Sequence, residues 1–206
     1  MGLREEKYRA RVQELAAFDR QYGICGIAGM DEVGRGPLAG DVVCACVIMP
    51  QDVLLPRVDD SKKLSAQKRI EIATQIRSLA LFLGIGKASP LEIDKYNILE
   101  ATRLAMGRAA EGAQPQCLLV DAVTGLGLAY PTHSIVHGDA KSYAIACASV
   151  IAKVERDADM LRLHAQYPHY HFDKNKGYGT AEHIAALRLH GPSSSHRQSF
   201  IKNFKE

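Results

Sequence analysis

Ile24-Cys-Gly-Ile-Ala-Gly-Met30, running into Asp31-Glu32-Val33-Gly34-Arg35-Gly36-Pro37, is the stretch on which the fold turns. The apolar run reads as a buried strand. It delivers two carboxylates to its end, beside a loop with two glycines and an arginine. Acidic side chains at the edge of a buried strand are costly unless something binds them. A hard divalent cation fits, because it takes oxygen ligands. Gly34 and Gly36 permit close backbone approach to a ligand, and Arg35 suits a phosphate. The stretch therefore reads as half of a metal-dependent, phosphodiester-cleaving site.

Working outward, charges interleave with Tyr8, Val12, Leu15, Ala16 and Phe18 over residues 3–20, which predicts a helix. Asp41 to Met49 is a β-branched run closed by Pro50 and predicts a second strand. A loop with Asp59, Asp60, Ser61, Lys62 and Lys63 follows, and Ser65 caps a helix to about Ser78. Leu81 to Ile85 reads as a third strand. Ser89-Pro90 opens a long helix. Cys117 to Val120 forms a short strand ending on Asp121, and His133 to Val136 another ending near Asp139. Ser142 caps an alanine-rich helix to about Gln166. A basic, glycine-containing loop spans Lys174 to Gly179, and Thr180 caps a last helix to Leu189. Strands mixed with helices in this order give an α/β layered domain.

The chain has 206 residues, 47% hydrophobic and 24% charged, enough for one domain with a core. Its net charge of +3 excludes a highly basic DNA-coating protein. The excess lies in the tail, where Lys174, Lys176, Arg188, Arg197, Lys202 and Lys205 face only Asp173, Glu182 and Glu206. A basic end beside an acidic metal site suits a polyanionic substrate. The five cysteines, Cys25, Cys44, Cys46, Cys117 and Cys147, form no CxxC pair, which speaks against zinc and a disulfide framework. Cys44 and Cys46 share one strand face as small core residues. The cysteine usage, and an N-terminus without a signal peptide's apolar core, predict a reducing cytoplasm. No run approaches the ~18 apolar residues of a membrane span, so no membrane association is expected.

Three strand ends thus carry acids: Asp31-Glu32, Asp121 and Asp139. Neighbouring strand ends are where α/β sheets gather ligands. Four carboxylates converging there would repel one another unless cations neutralise them. Two Mg²⁺ or Mn²⁺ ions roughly 3.5–4 Å apart would do so and would support in-line phosphoryl displacement. One geometric problem is visible at once. Adjacent strand residues point to opposite faces, so the strand must end or bulge near Gly34, or Glu32 must use its longer arm or a water.

Asp31-Glu-Val-Gly-Arg-Gly-Pro-Leu-Ala-Gly40, Asp60-Ser-Lys-Lys-Leu64, Val120-Asp121, Gly138-Asp139 and Ala148-Ser-Val-Ile-Ala-Lys-Val-Glu-Arg-Asp157 together resemble the ordered motifs of ribonuclease HII. Lys176-Gly-Tyr-Gly-Thr180 and His196-Arg-Gln-Ser-Phe200 complete the resemblance, which spans about residues 24–200. It implies a ribonuclease H-like fold, a mixed central sheet flanked by helices with a small C-terminal helical extension. The expected division is an N-terminal helical segment over 1–23, a catalytic core over 24–170 and a substrate-binding loop and helices over 171–206. It implies cleavage of RNA in RNA–DNA hybrids and incision at single ribonucleotides embedded in duplex DNA, leaving 3′-hydroxyl and 5′-phosphate ends. The metal-binding acids become Asp31, Glu32, Asp121 and Asp139. Gly34, Arg35 and Gly36 would read the ribose 2′-hydroxyl, the group that separates RNA from DNA. Tyr178 would stack on the sugar at the DNA side of the junction. Lys62, Lys63, Ser149 and Lys153 would contact the nucleic-acid backbone. Ser149, Lys153 and Asp157 recur at steps of four along one helix face, and Asp157 would either add outer support to a metal or pair with a cation.

Other readings compete. The glycines of 34–40 loosely match a dinucleotide-binding loop, but that fingerprint needs a following helix, and a β-branched run follows. The histidines near His169 and His171 lack a recognisable ligand set. A non-catalytic nucleic-acid-binding module would need the basic surface without the four acids. Ribonuclease HIII carries an additional N-terminal domain, for which residues 1–23 are too few. Gln198 to Phe204 loosely matches a sliding-clamp-binding peptide. A monomer is expected.

Overall fold

The computed structural model describes residues 3–23, 25–58 and 64–204. Lys62 and Lys63, with the acids Asp59 and Asp60, lie outside the described residues, as does Ile24. Helix α1 spans Leu3–Asp19 and turns Val12, Leu15 and Ala16 inward at helical spacing. Strands β1 (Ile27–Val33), β2 (Val42–Ile48) and β3 (Phe82–Ala88) pair antiparallel in sequence. Strands β4 (Cys117–Asp121) and β5 (Thr132–Ile135) are added parallel on the other side of β1. The order is β3-β2-β1-β4-β5. The two parallel connections run through α3 (Pro90–Ala109) and the loop after β4; α2 (Ala66–Leu79) precedes β3.

Side-chain alternation divides the sheet between two helices. Ala28, Met30, Cys44 and Cys46 pack with Ala101, Ala105 and Met106 of α3. Ala45 and Val47 pack on the other face with Ala146, Val150 and Ile151 of α4 (Tyr143–Gln166). Each fully buried Ile or Met here contributes about 2 kcal/mol of transfer free energy. Helix α4 crosses β1 at backbone distance: a Cβ on Gly29 would sit 1.9 Å from the Ala144 carbonyl carbon. Only glycine allows that approach.

Ser65, Ser89, Ser142 and Thr180 each accept an amide hydrogen bond at a helix start, and Ser89 forms a capping box with Glu92. The long third helix departs from expectation. Asn97 has φ 69°, and its side chain accepts the amides of Leu99 and Glu100, so it breaks one turn and caps the next. After α4, a short helix α5 (Phe172–Asn175) and α6 (Ala181–His190) follow. Tyr170, Phe172 and Ala186 close over Met160 of α4 and Ala39. No helix among the described residues is long and apolar enough to cross a membrane.

Candidate active site

Strand β1 runs on regularly through both acids to Val33, with Asp31 opposite Ala45 and Glu32 opposite Cys44. No bulge precedes Gly34. Alternation therefore puts Asp31 on the α4 face and Glu32 on the α3 face. The parallel pairing with β4 stops earlier, at Met30 and Val120. Beyond that register β1 has lost its β4 neighbour, so the carboxylates of both faces lie beside the tip of β4. Asp121, the last residue of β4, interacts electrostatically with both Asp31 and Glu32. Asp121 thus couples to acids on both faces of β1, although Asp31 and Glu32 leave the strand on opposite sides.

Asp139 arrives differently from expectation. It lies in a 3-10 turn, Gly138–Ala140, after β5 rather than at that strand's end. The turn is tied to the site because the Gly138 amide donates to Asp121 Oδ1 at 2.8 Å. Asp139 follows directly and is buried.

Burial pushes the Asp31 carboxyl well above the usual range, and the Glu32 and Asp121 charges add to it. The Ser149 side chain and the Glu32 amide hydrogen-bond Asp31 and oppose the rise. Burial also raises Glu32, to about 7, although Arg35 works against it. Arg35 Nη1 donates to Glu32 Oε1 at 3.2 Å, while Oε2 is buried without a hydrogen-bond partner. An orphaned buried carboxylate oxygen beside mutually repelling acids fits a divalent cation. The ligands are not drawn together in advance: among the described residues no group of three or more His, Cys, Asp or Glu stands ready to hold an ion. Glu32 is turned towards Arg35, and a cation would have to win it back.

The loop after β1 is held by two buried guanidiniums. Arg197 is 0% exposed and gives all of its hydrogen bonds to carbonyl oxygens, those of Gly34 (2.6 Å), Arg35 (2.9 Å), Pro37 (2.8 Å) and Gly40 (3.0 and 2.8 Å). Arg156, also buried, bonds the carbonyls of Ala39, Asp41 and Lys176. Burial, and then the nearby Arg156 charge, lower Arg197 to about 10, which leaves it charged at neutral pH. In the sequence Arg197 counts towards a basic tail surface; the structure corrects this, since its charge is spent inside on backbone dipoles.

Tyr178 stands next to the same loop. It is half exposed, and a Cβ on Gly36 would meet its ring at 3.7 Å. The Leu38 amide donates to the Gly177 carbonyl, joining the two loops. Behind Tyr178, the Ser193 amide donates to His196 Nδ1, so His196 carries its proton on Nε2 and donates it to His183 Nε2 at 3.0 Å. His183 Nδ1 then donates to the Tyr178 carbonyl at 2.8 Å. Burial drives His196 down to about 4, so the pair is neutral.

The remaining expected residues separate. Ser149 is buried and hydrogen-bonds Asp31. Lys153 pairs with Asp157 at 2.7 Å, and Asp157 also meets Arg69 at 3.3 Å. Asp157 therefore takes the ion-pair alternative. Arg156, Arg197, His183 and His196 were missed as site residues. Three of them, Arg156, His196 and Arg197, sit inside motifs already singled out, but a guanidinium aimed inward at carbonyls has no local sequence signal.

The family model for ribonuclease HII matches residues 28–203. The chain belongs to the ribonuclease HII family. It is 49% identical to the ribonuclease HII of Geobacillus sp. (strain WCH70) over 201 residues, covering 95% of this chain and 72% of that protein. It is also similar to the ribonuclease HII of Archaeoglobus fulgidus, solved as a complex with PCNA, at 26% identity and a TM-score of 0.71, covering 87% and 97% of the two chains. Bst ribonuclease HIII, solved with Mn²⁺, shares the fold at 16% identity and a TM-score of 0.64, covering 93% and 74%. The ribonuclease H-like expectation for the fold holds against these neighbours.

Proposed function

We propose that this ribonuclease HII-family enzyme cleaves the RNA strand of RNA–DNA hybrids and incises 5′ of single ribonucleotides in duplex DNA, leaving 3′-hydroxyl and 5′-phosphate ends. The observation that carries the reading is the electrostatic coupling of Asp121 to both Asp31 and Glu32 beyond the last β1–β4 pair, with a buried Glu32 oxygen left without a hydrogen bond. Asp31, Glu32, Asp121 and Asp139 would hold Mg²⁺ or Mn²⁺. Such ions activate water and neutralise charge on a leaving oxygen. Ser149 and the Glu32 amide fix the Asp31 carboxylate, and the Gly138 amide fixes that of Asp121. Arg35 holds Glu32 before loading and is free for a phosphate once Glu32 turns away. The Gly34–Gly36 loop reads the 2′-hydroxyl, and Tyr178, exposed beside Gly36, packs on the neighbouring sugar.

Lys153 and the basic tail residues Lys174, Lys176, Arg188 and Lys202 would line the phosphate track. Lys62 and Lys63 belong to the same proposal from their motif alone. A clamp contact through Gln198 to Phe204 draws support from the PCNA complex of the Archaeoglobus protein. Here, however, Ile201 is fully buried and Ser199 is bonded to Asp94, so that segment would have to be released first. Incubation of a long RNA–DNA hybrid with Mg²⁺, Mn²⁺ or EDTA tests the reading. Cleavage only with metal supports it; tight binding without cleavage in either metal would leave a nucleic-acid-binding module.

A further inference from the structure

We propose that Arg197 is a positioning residue for ribonucleotide recognition: it turns the carbonyls of Gly34 and Arg35 inward, so that the amides of Arg35 and Gly36 face the substrate. The inference rests on the reading of this loop given above and assigns the residue that makes the loop competent.

A peptide unit is planar and trans, so its N–H points opposite to its C=O, and no cis peptide occurs among the described residues. Arg197 Nη2 holds the Gly34 oxygen at 2.6 Å and Nη1 holds the Arg35 oxygen at 2.9 Å. The amides in those two peptide units belong to Arg35 and Gly36 and must point away from the guanidinium. Neither donates a hydrogen bond among the described residues. The next unit ends in Pro37, which has no N–H, and the Leu38 amide is taken by the Gly177 carbonyl. Two successive free donors therefore remain at this loop, beside Tyr178 and three residues from Glu32. Paired backbone donors of this kind receive an oxygen without reorganising.

The geometry needs a guanidinium. Five donors in a fixed plane reach four carbonyls at once, whereas the three donors of a lysine cannot. Arg156 braces the other side, with its Nε where a Cβ on Gly34 would fall, at 2.2 Å. Gly34 itself has φ 101°, a conformation that favours glycine. Burying Arg197 without a carboxylate partner is expensive, which makes a purely decorative role a poor explanation.

The test uses the full chain. Affinity is measured in EDTA for a duplex with one ribonucleotide and for its all-DNA counterpart, and cleavage of the former is measured with Mg²⁺ and with Mn²⁺. For Arg197→Lys the account expects cleavage to fall about 100-fold, as for loss of an oriented donor. It also expects the preference for the ribonucleotide duplex to vanish while all-DNA affinity stays within about twofold. For Arg197→Ala, millimolar guanidinium restores cleavage and ammonium does not. Amide NMR shifts of Arg35 and Gly36 in the wild type give a reading independent of any variant's folding: both move with the ribonucleotide duplex and not with all-DNA. Unmoved amides, or an Arg197→Lys variant with wild-type preference and cleavage, overturn the positioning role. Wild-type protein that fails to cleave with either metal overturns the proposed function instead.

Discussion

Glu32 and Arg35 are joined at 3.2 Å, three residues apart, by an ion pair that occupies one oxygen of a carboxylate whose other oxygen is buried and unbonded. The pair holds Glu32 in a waiting position. Arg35→Ala should therefore tighten Mn²⁺ binding to the free protein by about two- to fivefold, the worth of a partly exposed pair, and still weaken cleavage because a phosphate contact is lost. Calorimetric titration with Mn²⁺ reads the first effect, and weaker metal binding in the variant contradicts it.

Asp121→Asn and Asp139→Asn should nearly abolish cleavage while leaving the fold intact. Without metal, Asp121→Asn should melt higher than wild type, because a repelling charge has gone. The sign for pH follows from Glu32, raised from 4.5 to about 7. A raised carboxyl makes the folded state bind more protons than the unfolded one across that interval, so metal-free stability falls as pH rises through it. Thermal melts with and without Mn²⁺ should show metal stabilisation of the wild type larger at pH 8 than at pH 5, and little in Asp121→Asn. Equal stabilisation of both proteins by metal would remove Asp121 from the site.

Asp19 gives a second pH effect, at the start of α4. Its carboxylate accepts the Ala144 amide at 2.9 Å and so caps α4 from another helix. Burial raises it from 3.8 to about 6. Its ionisation therefore costs stability on the order of 3 kcal/mol, absent below pH 4 and fully present above pH 6. Asp19→Asn should lack that share of the loss between pH 4 and 6 in urea titrations. A variant with the wild-type pH slope contradicts the assignment.

Much of this was legible in the sequence because the signals are local. Ser65, Ser89, Ser142 and Thr180 announce helix starts through side chains that reach amides only three residues on. The period-two rule likewise shows that Asp31 and Glu32 oppose each other. It cannot show that Asp121 couples to both, which depends on where the pairing of β1 with β4 stops, nearly 90 residues along the chain. Asn97 as a mid-helix cap was hidden because asparagine is tolerated in helices and in turns alike. Arg197 reads as surface charge in the sequence, since a tail of serine, histidine and arginine looks solvated. Its four carbonyl partners come from a loop some 160 residues earlier.

Tyr178 offers a separable test of junction reading. Its ring is exposed beside Gly36, while its carbonyl is fixed by His183, so the ring can be altered with the loop held. Tyr178→Ala should slow cleavage at one embedded ribonucleotide more than it weakens binding. Tyr178→Phe should be mild if stacking dominates. Single-turnover rates on one-ribonucleotide, all-RNA-hybrid and all-DNA substrates decide it, and an unimpaired Tyr178→Ala would reduce Tyr178 to packing.

The most direct measurement is cleavage of a DNA duplex carrying one ribonucleotide, with Mg²⁺ or Mn²⁺ and with both product ends mapped. The account predicts a single incision 5′ of the ribonucleotide, giving 3′-hydroxyl and 5′-phosphate, no cut in the all-DNA duplex, and none with Asp121→Asn. Incision of the all-DNA duplex at a similar rate, 2′,3′-cyclic phosphate ends, or full activity in Asp121→Asn would contradict it.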